Sequence, residues 1–150
     1  RRFAPSSWWR HSHAVRVLDL GWNRVEVYRT GGGDYIRYLH APQGEKWRGV
    51  VDAFRKIGKA TRDRGTQVVV AIFPVLPRED WGGYPYRDLH ARVSEAARAE
   101  QFRVVDLLPV FSPFPPRDLR LSPEDDHPGR LAHDLAARAL SGEILPGAAP

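Results

Sequence analysis

The run Gln67–Phe73, QVVVAIF, decides the fold class: from Val68 onward it is apolar without interruption, rich in β-branched residues, and stopped by Pro74. Such a run fits a central parallel strand covered on both faces. Before it, Trp47, Val50, Val51, Phe54 and Ile57 recur at three- and four-residue steps, which predicts a helix over Glu45–Arg64 with Gly65 as its stop. After it, Pro77, Gly82, Gly83 and Pro85 make Val75–Tyr86 a long loop. A second helix is predicted over Asp88–Glu100, with Leu89, Val93, Ala96 and Ala97 on one face, and a second buried strand over Phe102–Leu107. Another long, Pro-rich loop leads to His127 and a third helix carrying Leu131, Leu135, Ala136, Ala139 and Leu140. Helix alternating with strand predicts an α/β fold with a doubly wound parallel sheet. In such sheets the ligand site lies beyond the carboxyl ends of the strands, where both long loops emerge.

The second of those loops carries the densest chemistry. In LSPEDDHPGRLAHDLAARAL, Leu121–Leu140, the carboxylates of Glu124, Asp125 and Asp126 run into His127 and Pro128 at the mouth of a helix. An imidazole with an acid two or three residues before it has the parts of a general base and its orienting partner. An ordinary helix start has the same composition, because acidic residues and Pro are both favoured there. Both readings stand on these residues alone, and the position of the loop favours the functional one. Asp106, at a strand end, is expected to anchor a loop, and His133 to pack at the helix start.

Elsewhere the signals are weaker. Residues 1–30 are a Trp-rich segment in which the spacing of Trp8, Trp9, Val15, Leu18 and Trp22 predicts a short amphipathic helix, with Ser6 and Ser7 as candidate caps. His11 and His13 are a pair without a third ligand, so no metal is expected. Gly31–Gly33 lacks the Lys-Ser/Thr of a phosphate loop and reads as a turn, and no cofactor is expected. Residues 31–141 form the α/β part, and 142–150 a tail expected to fray.

The net charge of +5 comes from 23 Lys and Arg, only three of them Lys (Lys46, Lys56, Lys59), spread along helix faces rather than gathered into a run. That pattern is a solvated surface and argues against nucleic acid as a partner. No run approaches the roughly 18 apolar residues of a membrane helix. With no Cys, a disulfide, a thiolate metal site and a Cys nucleophile are all excluded. The absence of Met raises the expectation of further sequence before Arg1.

Taken in order, the Pro-terminated strand, YPYRDLH, VVDLLPVF and SPEDDHPGRLAHDLAARAL resemble the C-terminal half of an SGNH (GDSL-type) hydrolase, over about Trp47–Leu140. Asp125, His127, Pro128, Ala132 and His133 fill the positions of the family's closing block. The resemblance implies a three-layer α/β/α, flavodoxin-like fold that hydrolyses esters through Ser, His and Asp, incomplete in this chain. It implies His127 as general base and Asp125 as its orienting acid, with Glu124, three residues before the His, as the alternative. The family's Gly-Asp-Ser nucleophile and its oxyanion-hole blocks are not found, and Gly129 stands where the family commonly has Asn. None of Ser6, Ser7, Ser12, Ser94, Ser112, Ser122 and Ser141 follows a buried strand in that context.

The expected partners are therefore a missing N-terminal part of the same protein, or another chain, and a small ester. Trp81, Tyr84, Tyr86, Phe111 and Phe114 in the two loops suit a sugar ring or an acyl chain, although core packing accounts for most of them. The competing expectation is a non-catalytic remnant of the same fold, acting as a protein-binding or structural subunit.

Overall fold

The computed structural model describes residue 22 and residues 24–144, and the chain divides into two units, Arg1–Val50 and Val51–Pro150. In the first, a helix over residues 24–31 (α1) ends in a turn in which Gly32 and Gly33 take positive φ. The glycine run is thus a helix end and turn, as expected. A short helix, α2 (Tyr35–Leu39), follows, capped by Asp34, whose Oδ1 accepts the backbone N–H of Ile36 at 2.8 Å and of Arg37 at 3.1 Å. Buried Trp47 lies against the His40 ring, centroids 5.9 Å apart. Trp22 aside, the expected Trp-rich helix lies outside the described residues, as do His11 and His13.

Helix α3 (Glu45–Arg62) crosses the boundary between the units. It stops at Gly65, at φ +61°, where Thr66 N–H reaches Thr61 O and Gly65 N–H reaches Arg62 O, both at 3.1 Å. The left-handed residue lets the chain turn back and satisfy carbonyls the helix leaves open. Phe54 buries its ring edge-on against Phe102 at 5.8 Å, whereas Ile57, at the flank of the stripe, is exposed.

Strand β1 (Val69–Ile72) pairs in parallel with β2 (Arg103–Asp106), Val69 opposite Arg103 and Ile72 opposite Asp106. Helix α4 (Arg87–Ala99) joins them and packs on both. The fold is mixed α/β with a parallel sheet. Full cover of the strands is not met: every residue of β1 is half-buried, and Phe73 and Val75 beyond it are 39% and 44% exposed. Among the described residues the sheet has only these two strands, so no further strand pairs with the outer edge of β1.

The core gathers instead at the carboxyl ends of the strands. Leu76, Trp81, Tyr84, Leu107, Phe111 and Leu119 form one buried cluster with Val105 of β2 and with Ala132 and Ala136 of α7 (Arg130–Ile144). Phe111, Leu107 and Leu119 are fully buried, each contributing about 1.5–3 kcal/mol of apolar burial. The loop before His127 is not structureless: it holds α5 (Leu108–Phe111) and α6 (Pro116–Leu119), both packed on α7.

Helix α7 runs to Ile144, past Gly142 where the tail was expected to fray. Arg103, at the start of β2, holds its end through Glu143, with 2.8 Å to the carboxylate. None of the described helices is long and apolar enough to cross a membrane.

Candidate functional site

Between α6 and α7 the chain forms a narrow finger. Arg120 leaves α6 extended and bridges Pro128 in antiparallel fashion, with Leu121 N–H on His127 O at 2.8 Å and Gly129 N–H on Leu119 O at 2.7 Å. At the tip, Ser122-Pro123-Glu124-Asp125 is a tight turn closed by Asp125 N–H to Ser122 O at 3.2 Å. Pro at its second position presets the backbone for such a turn. Gly129 sits so close to Arg120 that a Cβ there would collide with the carbonyl group of Arg120 and the amide of Leu121. The close approach explains why Gly stands at position 129.

The finger gives each carboxylate of the cluster its own partner. Glu124 Oε2 accepts the Ser122 hydroxyl at 3.2 Å. Asp126 Oδ1 lies 3.3 Å from Nε of Arg120, whose side chain is only 7% exposed and whose Nη2 donates to the Pro77 carbonyl. Asp125 Oδ1 accepts the backbone N–H of His127 at 3.0 Å and lies 2.5 Å from its Nδ1. Of the two candidate acids, the geometry brings Asp125 to the ring and leaves Glu124 on Ser122.

The two donors of His127, backbone N–H first and ring second, hold the Asp125 carboxyl below its ordinary value of 3.8. A carboxylate on Nδ1 sets the tautomer that leaves Nε2 as the basic nitrogen. The His127 side chain is 85% exposed, and among the described residues nothing bonds to Nε2. The ring is therefore open to solvent, and the cleft that a general base here is expected to face is not formed by the described residues.

Among the described residues no serine hydroxyl bonds to His127, and Ser94 is buried in α4; Ser6, Ser7 and Ser12 lie outside the described residues. His133 stands in the first turn of α7 with its ring 6.2 Å from Phe73. Trp81, Tyr84 and Phe111 are core residues, and Trp81 Nε1 donates to Phe114 O at 2.8 Å.

A second imidazole–carboxylate pair escaped the sequence reading. His90 Nδ1 donates to Asp106 Oδ1 at 2.8 Å, and its Nε2 accepts the Tyr84 hydroxyl at 3.0 Å. Tyr84 in turn accepts Val75 N–H at 3.1 Å, and Asp106 also accepts Leu108 N–H at 2.9 Å. The chain of bonds ties the ends of both strands to α4. Burial pushes the Tyr84 hydroxyl up to about 12, which keeps it protonated within the network. The helical steps from His90 to Ser94 and Ala97 are a signal that places the imidazole on the buried face of α4, though not one that names Asp106 as its partner.

Among the described residues no group of three or more His, Cys, Asp or Glu is placed to hold a metal ion. Compared with known proteins, the chain matches no family model, no curated protein and no solved structure.

Proposed function

We propose that the chain carries the base and orienting acid of an SGNH-type ester hydrolase, acting on acyl or carbohydrate esters. The observation that supports this is the Asp125–His127 pair: a carboxylate 2.5 Å from Nδ1, with no hydrogen-bond partner on Nε2 among the described residues. In this reading Nε2 takes the proton of a serine hydroxyl as the oxygen attacks the ester carbonyl. The imidazolium, steadied by Asp125, then passes that proton to the leaving alcohol, and water repeats the cycle to free the acid. The serine and the oxyanion donors come from polypeptide beyond these 150 residues, whose added strands complete a three-layer α/β/α sheet over β1.

The test is hydrolysis of a chromogenic acetyl ester, with labelling by a serine-directed phosphonate, by the full-length protein and its His127→Ala variant. Loss of the general base is expected to lower the rate about 10²–10⁴-fold. An unchanged rate removes His127 from the mechanism.

The alternative is a non-catalytic subunit of the same fold that binds a protein partner, and the half-buried β1 with exposed Phe73 and Val75 speaks for it. It predicts no phosphonate-labelled serine and no esterase activity in the full-length protein.

A further inference from the structure

The residue just before the imidazole is held by the Arg120 side chain, and the strand pairing around Arg120 holds the chain just after it. Asp126 has its carboxylate 3.3 Å from Nε of Arg120, and Pro128 lies opposite Arg120 in an antiparallel bridge whose bonds run from Leu121 N–H to His127 O and from Gly129 N–H to Leu119 O. The other arm of the guanidinium donates to Pro77 O, in the loop that leaves β1. A buried charge is costly unless paired, and a planar fork can serve two partners in fixed directions where an ammonium cannot. Nε makes an ion pair with Asp126 but no hydrogen bond. The guanidinium is therefore committed to holding two loops together.

From this we infer that Arg120 is the positioning residue of the His127 site: it anchors the finger to the loop after β1 and draws Asp126 away from the imidazole, leaving Asp125 as the one carboxylate on Nδ1. The inference rests on the proposed role of His127 and adds what holds that ring in place. Arg120 itself does not touch the reacting atoms.

The experiment needs no activity. Long-range ¹H–¹⁵N correlation spectra of the chain at about pH 8, above the ordinary histidine range, distinguish an Nδ1–H ring from an Nε2–H ring. His90, fixed by Asp106 and Tyr84 in the core, serves as the reference for an intact fold in the same spectrum. In the unsubstituted chain His127 is expected as the Nδ1–H tautomer. In Arg120→Gln that signature is expected to be lost to an averaged ring while the His90 signature persists.

Should Arg120→Gln lose both signatures by unfolding, Asp126→Asn decides, because its side chain is about half exposed and the substitution removes only charge. A weakened Nδ1–H signature for His127 with His90 unchanged then supports the inference. A His127 signature unchanged in any variant that keeps the His90 signature overturns it, and so does an averaged His127 ring in the unsubstituted chain. Failure here leaves the hydrolase reading to the His127→Ala assay, whereas failure of that assay leaves the positioning result intact.

Discussion

At the scale of single residues, three adjacent acids look interchangeable and are not. Glu124, Asp125 and Asp126 differ by one backbone step each, yet a tight turn separates their directions, and only Asp125 meets the ring. The proposed mechanism therefore makes a sharp distinction between two conservative substitutions in the full-length protein. Asp125→Asn keeps an oxygen for the His127 N–H but loses the charge that steadies the imidazolium and the carboxylate that selects its tautomer. A fall in kcat of about 10²–10⁴-fold is expected from the known cost of that exchange in catalytic triads. Glu124→Gln touches only the Ser122 hydroxyl and is expected to stay within about twofold, since surface polar contacts of this kind are worth a few tenths of a kcal/mol. Ester hydrolysis by the two variants, side by side, checks the assignment; equal losses would return Glu124 to the site.

At the scale of elements, helix α4 is closed two residues past its last turn by Gln101, whose φ of +64° makes it the one non-Gly residue with positive φ among those described. Phe102 N–H to Ala97 O and Gln101 N–H to Arg98 O close that end as Gly65 closes α3. A side chain in the left-handed region costs on the order of 1 kcal/mol that glycine does not. Gln101→Gly is expected to raise the unfolding free energy by up to about 1 kcal/mol in urea titration, and a loss of stability would refute the strain.

The same comparison explains what could be read beforehand. The stop of α3 was legible because Gly65 announces it, and β1 because a β-branched run ends in Pro74. The stop of α4 carried no glycine yet falls within one residue of its expected place, because the apolar face ends just before the run Phe102–Leu107; α5 and α6, four residues each, are too short to show periodicity. Asp125 and Glu124 were both visible as partners of His127 because they are local, but choosing between them took the turn at Ser122–Asp125. His90 and Asp106 lie 16 residues apart and meet only after the sheet has formed, so no local pattern joined them.

At the scale of the whole molecule, stability is concentrated where the strands end, and the buried Tyr84 makes that region sensitive to alkali. Its hydroxyl is pushed up to about 12 in the folded chain from an ordinary value of 10.0. Below about pH 10 both states keep the proton, and the full contribution is present; above it the unfolded chain ionises first, and stability drains away until the folded hydroxyl titrates near 12. The loss across that window is on the order of 2 kcal/mol. Asp125 acts with the opposite sign: its depressed carboxyl favours the ordered finger above the ordinary aspartate range, and that preference fades as pH falls through the lower folded value. Being on the surface, it governs the finger and not the core. Tyr84→Phe separates the two regions. At about pH 8 it leaves the buried His90 Nε2 and the part-buried Val75 N–H without their partner and is expected to cost about 1–3 kcal/mol. Because the variant has no hydroxyl to ionise, its stability should fall less steeply above pH 10, so the gap between the two proteins in denaturant titrations narrows toward pH 12. A gap that stays constant across that range would mean the phenol is not held protonated by the core.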